Sequence, residues 1–562
     1  MKLKQLLVYI FLATFFLFSL FLHFYKINSS PGAVLIDEAS LGFNAYSIGQ
    51  TGKDEFGSSH PLVLKSFGDQ KLPLYVYASV IPVKIFGLNP LGIRFVAALS
   101  SSLLVFVLFK ILKELEFDDF SSLIGSAVAA VSSWTFILGR FGWESCLGLL
   151  IFSISILFLI RSSKNNKFID YVLSGIFLGV TWYSYIPYRI ISILVLIAAL
   201  IFIKTNNLKN KIVLLGIFVI FILPTIPLLL SPAGSARFKQ TTILTDPNNS
   251  ATVNDERFYC NNGDVNKLCS LISNKPVEIS YSILRAGVRI LSPNYLFATG
   301  DTSANYANVG KFALFPAFLI PFYAFGFVAL SKIKKQKNKK EIILIFVFSI
   351  LSLMPTLITR APQKIQMSSL MPFLLIFIIL GYSFVFTKIK YKSLHILTVV
   401  LLGIYGLLLL FYFVNIHSKK YYSNEIFMKD ASLYLGSQYG KVDKIYFNSV
   451  YPNLINYYVF YNKVDPSFYQ KNIKTSPPDD LGFIHLTGLN KITKAPDNYK
   501  ILACKALTEK QNYLFLTNQK IIAENSSQPI PVFVGKNLGG LDLGYIYNLK
   551  DVVTKDDCLS SK

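Results

Sequence analysis

The stretch I-D-E-A at residues 36–39 sets two carboxylates, Asp37 and Glu38, side by side shortly after an apolar run at 5–24. A carboxylate held within about 3 Å of a hydroxyl takes its proton as that hydroxyl attacks an electrophile. The same two residues also read as the first turn of a helix, where negative charge is favoured. The following ASLGFNAYSIGQTG supports that helix: Leu41, Ala45 and Ile48 share a face and Gly52 can end it. Cationic residues recur at comparable positions. Lys65 and Lys71 lie in PLVLKSFGDQKLPLYVY, and Arg94 opens the next apolar run. Arg140 and Glu144 flank RFGWE, Arg189 closes YSYIPYR, and Arg360 follows another run. Taken singly, each reads as an interfacial residue with its head in water. Taken together they form a polar site for an anionic, lipid-linked substrate, because Arg and Lys recognise phosphate oxygens. Tyr183, Tyr185 and Tyr188 suit a groove for a sugar or a hydrocarbon chain; tyrosine is equally an ordinary interface residue.

The elements that must position these groups are membrane helices. Of 562 residues, 53% are hydrophobic and only 15% charged, well below the quarter typical of soluble chains. Eleven apolar runs are long enough to cross a bilayer: 5–24, 91–112, 120–139, 144–161, 169–186, 187–203, 211–230, 311–331, 341–359, 367–387 and 394–415. The stretch 72–88 is apolar too, but Lys84 and two prolines make it an interfacial helix. The first run is too long for a signal-peptide core and lacks a cleavage site, so it reads as an uncleaved span. Lysines and arginines collect around 2–4, 110–113, 161–167, 204–211, 331–340 and 388–392, which fall on one side if all eleven runs cross. That side is then the cytoplasm. The net charge of +24 is explained by this bias, which excludes nucleic acid as a partner.

The expected architecture is an all-α polytopic membrane protein in the cell membrane, with its N-terminus cytoplasmic. The large pieces fall on the opposite face: a first outer loop at 25–90, a long loop at 231–310, and a polar region at 416–562. The last reads as a small α/β extracytoplasmic domain, with strands at KIYFNSV and NYLFLT and a helix at NEIFMKDASLYLGSQYG. Residues 1–415 form the membrane domain. Cys260 with Cys269, and Cys504 with Cys558, lie pairwise in the outer regions, which suits an oxidising compartment; unpaired thiols are the other reading.

The order I-D-E-A, T-G-K-D-E-F-G, K-S-F-G-D-Q-K-L-P-L-Y-V-Y and F-G-L-N-P-L-G-I-R resembles the first outer loop of bacterial GT-C glycosyltransferases. More narrowly it resembles the protein O-mannosyltransferase and aminoarabinose-transferase superfamily (glycosyltransferase family 39-like). LSPNYLFATGDTSANYANVGKFALFP (291–316) and R-A-P-Q-K-I-Q-M-S-S-L-M-P-F-L also resemble loops of bacterial members. The resemblance covers roughly residues 1–415. It implies transfer of a sugar from a polyprenyl-phosphate carrier to an acceptor hydroxyl on the outer face, with Asp37 as general base. It implies Lys71 as a phosphate contact. Arg140 and Glu144 match the acidic-basic pair of a short outer turn, and Arg94 an arginine opening the second span. Some relatives carry a carboxylate just before the lysine, where it helps hold a divalent metal. Here that position is Gln70, and Asp69 is one residue off and expected to face elsewhere; a cofactor metal is therefore not expected, although Asp54, Glu55 and His60 leave it open.

The expected substrate-binding set is Glu38, Lys71, Arg94, Arg140, Glu144, Tyr185, Arg189 and Arg360. The partners are the lipid-linked donor, the bilayer and an acceptor that is a protein, a glycolipid or a cell-wall polymer. The alternative is a transporter or flippase for a lipid-linked anion. Against it, the spans are nearly free of charge within the membrane, and no repeated half with broken helices is evident.

Overall fold

The computed structural model describes the chain except residues 1, 206, 231–241, 262–266, 302–308, 333–338, 360–362, 388–391, 481–482, 523–527, 538–539 and 560–562. The chain forms two compact units: Met1–Tyr25 with Ala97–Phe411, and Lys26–Val96 with Tyr412–Lys562. The sequence reading drew one boundary near 415. By compactness the first loop, 26–96, instead groups with the C-terminal region.

The membrane unit is helical, and helices stand at all eleven apolar runs. Among the described residues seven are long and apolar enough to cross a bilayer alone, among them Leu3–Phe24, Glu144–Asn165 and Ser368–Phe386. The run at 120–139 is broken into Asp119–Val131 and Ser133–Arg140, bent by 45°. Ser132 causes the break: its extended backbone leaves the first helix, and its hydroxyl accepts from Thr135 N to start the second. Phe168–Thr181, Ile186–Phe202 and Ala317–Ser331 are shorter apolar helices. At about 1.5 Å per residue, fourteen residues reach only about two thirds of a 30 Å core. Helices Ile320–Ser331 and Met371–Phe386 touch backbone to backbone at Gly381, where a Cβ would collide with Phe322 O.

In the second unit, helix Ile36–Thr51 ends at Gly52 as its sequence indicates, with φ +70° and its N–H on Ile48 O. It is not a one-faced helix, however: Glu38 to Ala45 and Ser47 are all buried. A hairpin follows, β1 (Leu64–Lys65) pairing antiparallel with β2 (Gln70–Lys71). Pro73–Phe86 is a helix with Pro at its first position, and Pro82 lies within it. The C-terminal region forms a seven-stranded sheet of β3 (Lys444–Phe447), β4 (Ile473–Thr475), β5 (Leu486–Leu489), β6 (Ile492–Lys494), β7 (Tyr513–Thr517), β8 (Phe533–Lys536) and β9 (Asp542–Asn548). Their order is β4-β5-β6-β3-β7-β9-β8. Strand β3 runs parallel to β6 and β7, and the other pairs are antiparallel. Helix Ser423–Gln438 precedes the sheet. Cys504 is bonded to Cys558 here, and Cys260 to Cys269 in the membrane unit.

Candidate functional site

Asp37 and Glu38 differ by one helical step, about 100° of rotation, and this separates their environments. Glu38 is fully buried and forms a two-pronged pair with Arg94: Nε to Oε1 at 2.7 Å and Nη2 to Oε2 at 2.9 Å. Its Oε2 also accepts from Leu35 N, closing the helix start. The remaining Arg94 donors go to the carbonyls of Ile27, Pro31 and Ala33. Both side chains are 0% exposed, so they hold the entry of the loop rather than face a ligand. A buried pair with all five guanidinium protons engaged suits that task.

Asp37 points the other way and keeps 37% of its side chain exposed. Its Oδ1 accepts from Lys71 Nζ at 2.6 Å, and Oδ2 takes no hydrogen bond among the described residues. Lys71 Nζ also lies 3.0 Å from Asp69 Oδ2 and 5.6 Å from the centre of the Phe67 ring. The Lys71 side chain is only 11% exposed, and its ammonium bridges two carboxylates. The hairpin fixes it there. Gly68 turns at φ +71°, giving its N–H to Ser66 O, while Ser66 Oγ meets Ser40 Oγ of the helix at 2.6 Å. The expectation that Asp69 faces elsewhere fails because Asp69 belongs to the turn, where strand alternation does not apply.

The carboxylates do not suit a divalent cation. Asp37 and Asp69 share an ammonium, and Gln70 supplies no charge. Asp54 Oδ1 is engaged by the N–H groups of Phe56 and Ser58. Glu55 is bonded by Asn44 Nδ2 at 2.8 Å and Tyr469 Oη at 3.3 Å, and burial pushes its carboxyl up to about 8. Among the described residues no three His, Cys, Asp or Glu converge on a metal position.

The membrane unit holds the other expected residues. Arg140 is fully buried; its Nη1 donates to His23 O at 2.9 Å and Tyr25 O at 2.7 Å, closing the C-terminal end of helix Lys2–Phe24. Glu144 is buried in the first turn of its helix, and Tyr185 precedes helix Ile186–Phe202. Tyr188 is buried against Ser368 Oγ at 3.0 Å, while Tyr183 donates to Phe221 O. Arg189 donates Nε–H to Trp182 O and stacks over the Trp182 ring. Its Nη2 is buried with no hydrogen-bond partner among the described residues, leaving a charged donor for an anion. Arg360 lies outside the described residues. Lys364, four positions on, escaped notice in the sequence. It is 1% exposed, Asp301 Oδ2 accepts from its backbone N–H at 2.7 Å, and burial lowers its ammonium to about 8. Its position in R-A-P-Q-K-I-Q was the available signal. An apolar cavity of about 160 Å³ in this unit, walled by Tyr323, Phe327, Phe346, Phe373 and Phe377, has the chemistry of a hydrocarbon site.

Residues 69–230 match the model of the dolichyl-phosphate-mannose-protein mannosyltransferase family. A search of curated protein sequences returns no match. Among solved structures, the chain is similar to ArnT from Cupriavidus metallidurans bound to undecaprenyl phosphate. The TM-score is 0.54 at 10% identity, over 97% of this chain and 99% of that one. It is also similar to the archaeal oligosaccharyltransferase AglB from Archaeoglobus fulgidus, in complex with an inhibitory peptide and a dolichol-phosphate. There the TM-score is 0.50 at 12% identity, over 82% of this chain and 64% of that one, so this chain spans under two thirds of the archaeal enzyme's length. At 10–12% identity these likenesses show the fold: the chain is built like the two membrane enzymes, with apolar helices followed by a C-terminal sheet region.

Proposed function

We propose that this protein moves a sugar from a polyprenyl-phosphate carrier to an acceptor hydroxyl on the extracytoplasmic face of the cell membrane. The observation that carries the reading is Asp37: a solvent-reachable carboxylate with one oxygen on Lys71 at 2.6 Å and the other unengaged. The unengaged oxygen accepts the acceptor's proton. The acceptor oxygen bonds to the anomeric carbon, and the bond from that carbon to the carrier phosphate oxygen breaks, its electron pair leaving on the phosphate. The leaving group departs as an anion, so it calls for positive charge rather than a strong acid. Lys71 supplies that charge. Glu38, Arg94 and Arg140 act by holding structure. The family-model match over 69–230 supports transfer from a lipid phosphate carrier.

The test is sugar transfer in vesicles supplied with polyprenyl-phosphate sugars and a membrane extract as acceptor. Asp37→Asn keeps the size of the side chain and one oxygen to accept from Lys71, removes the basic oxygen, and is expected to lower transfer by about 10²–10⁴-fold at unchanged expression. Full activity of that variant sinks the base assignment. Movement of the lipid-linked sugar across the bilayer with no acceptor present would identify a transporter instead.

A further inference from the structure

The C-terminal sheet carries a feature that this reading does not use. Strand β3 is the switch point of the sheet: the chain leaves it toward β6 on one side, then returns to place β7 on the other. Both neighbours run parallel to it. In open α/β sheets the crevice beyond the carboxyl ends of such strands is where ligands bind. A cavity of about 300 Å³ lies there, lined by Asn424, Phe427, Val450, Tyr451, Asn453, Tyr457, Asn518 and two further apolar residues beside Pro452. Asn448 ties the two strand ends together, its Nδ2 reaching Thr517 Oγ1 at 3.2 Å and Asn518 Oδ1 at 2.9 Å.

The lining has a definite chemistry. It contains no Asp, Glu, Lys or Arg. The side-chain amides of Asn424 and Asn453, the Nδ2 of Asn518 and the hydroxyl of Tyr457 make no hydrogen bond among the described residues. Amides that donate and accept at once, set among aromatic rings, match a ring whose hydroxyls do the same and whose C–H faces are apolar. A phosphate or carboxylate would find no counter-charge. The volume is at the lower end for small-molecule sites, enough for one or two sugar rings. Tyr457 links this cleft to the candidate base. It stands on helix Leu454–Tyr461, and Tyr461 Oη at the end of that helix accepts from Val34 N at 2.8 Å, three residues before Asp37.

We propose that this cleft binds a neutral saccharide and forms the acceptor subsite of the enzyme. The role as acceptor rests on the transferase reading; saccharide binding does not. The experiment is saturation-transfer NMR on the full chain in nanodiscs with neutral disaccharides (mannobiose, galactobiose, xylobiose), with a uronic-acid disaccharide and a Ser/Thr-rich peptide as comparators. At least one neutral disaccharide should give signal. Tyr457→Phe and Asn453→Ala with Asn518→Ala should weaken it at least tenfold at unchanged melting temperature. Tyr457→Phe removes only an unbonded hydroxyl, so it keeps the test clear of misfolding. Asp37→Asn should leave binding intact, and the bound disaccharide should be glycosylated by the wild type. Absence of signal from every neutral disaccharide, signal indifferent to the cleft variants, or variant-sensitive binding of the peptide or uronic acid alone would overturn the saccharide site. Variant-sensitive binding without glycosylation by an otherwise active enzyme would overturn the acceptor role alone.

Discussion

Two adjacent residues of the same chemistry carry different tasks. Asp37 is reachable and half-engaged, whereas Glu38 is sealed against Arg94. Their order in I-D-E-A does not distinguish them; only the burial of Arg94 among three carbonyls does. Glu55 makes a similar point with a measurable consequence. Its ordinary value is 4.5, and burial, with Asp54 adding to it, raises the folded carboxyl to about 8. Between those values the unfolded chain has lost the proton while the folded chain keeps it, so stability falls as pH rises through that window and levels off above it. Glu55→Gln retains the hydrogen bonding to Asn44 and Tyr469 without the charge. It is expected to melt above the wild type at pH 8.5, by on the order of 1–3 kcal/mol, with most of that advantage gone at pH 5. Melting curves of the purified chain at the two values check this; a difference independent of pH would mean that Glu55 folds already ionised.

The elements were legible where local chemistry decides them. Gly52 marked the end of the helix at 36–51, and the apolar stretch 72–88 read as a helix, which runs over Pro73–Phe86. The hairpin was not legible, because two-residue strands leave no periodic signal, and so Asp69 was assigned the wrong direction. Gly68 is the residue on which that hairpin depends. An alanine there would take a left-handed backbone at a cost of about 1–2 kcal/mol. Its Cβ would also lie 2.6 Å from the His485 ring. Gly68→Ala is expected to destabilise the chain by at least that amount and to lower transfer by displacing Lys71. Adding His485→Ala should recover the steric part and leave the backbone part. Melting temperature and transfer rate, measured on both variants, separate the two.

The second unit joins residues about four hundred positions apart. Val34 N–H donates to Tyr461 Oη, Lys429 Nζ to Gly32 O, and Gln470 Nε2 to Asp54 O. Such pairs are invisible to local pattern. Orientation, by contrast, is an expectation that charge statistics alone supply, since short cytoplasmic loops retain Lys and Arg. We expect the C-terminal region outside the cytoplasm. Cysteine labelling checks this cleanly, because Cys146 is buried and the other four cysteines are bonded. A cysteine at Ile530, which is 83% exposed, should react with an impermeant maleimide in intact cells. One placed within 331–340 should react only after permeabilisation, and the opposite pattern would invert the topology.

The sequence specified the apolar runs, the loop charges, the ends of the helix at 36–51 and the presence of carboxylates and lysines in one loop. These follow from composition, spacing and single-residue backbone preferences, all local quantities. Tertiary structure decided which carboxylate is free, that Arg94 and Arg140 are spent on backbone carbonyls, that Asp69 joins Asp37 on one ammonium, and that three asparagines and two tyrosines meet at the end of β3. Those outcomes depend on desolvation and on contacts between segments distant in sequence, and neither is encoded in the spacing of residues along the chain.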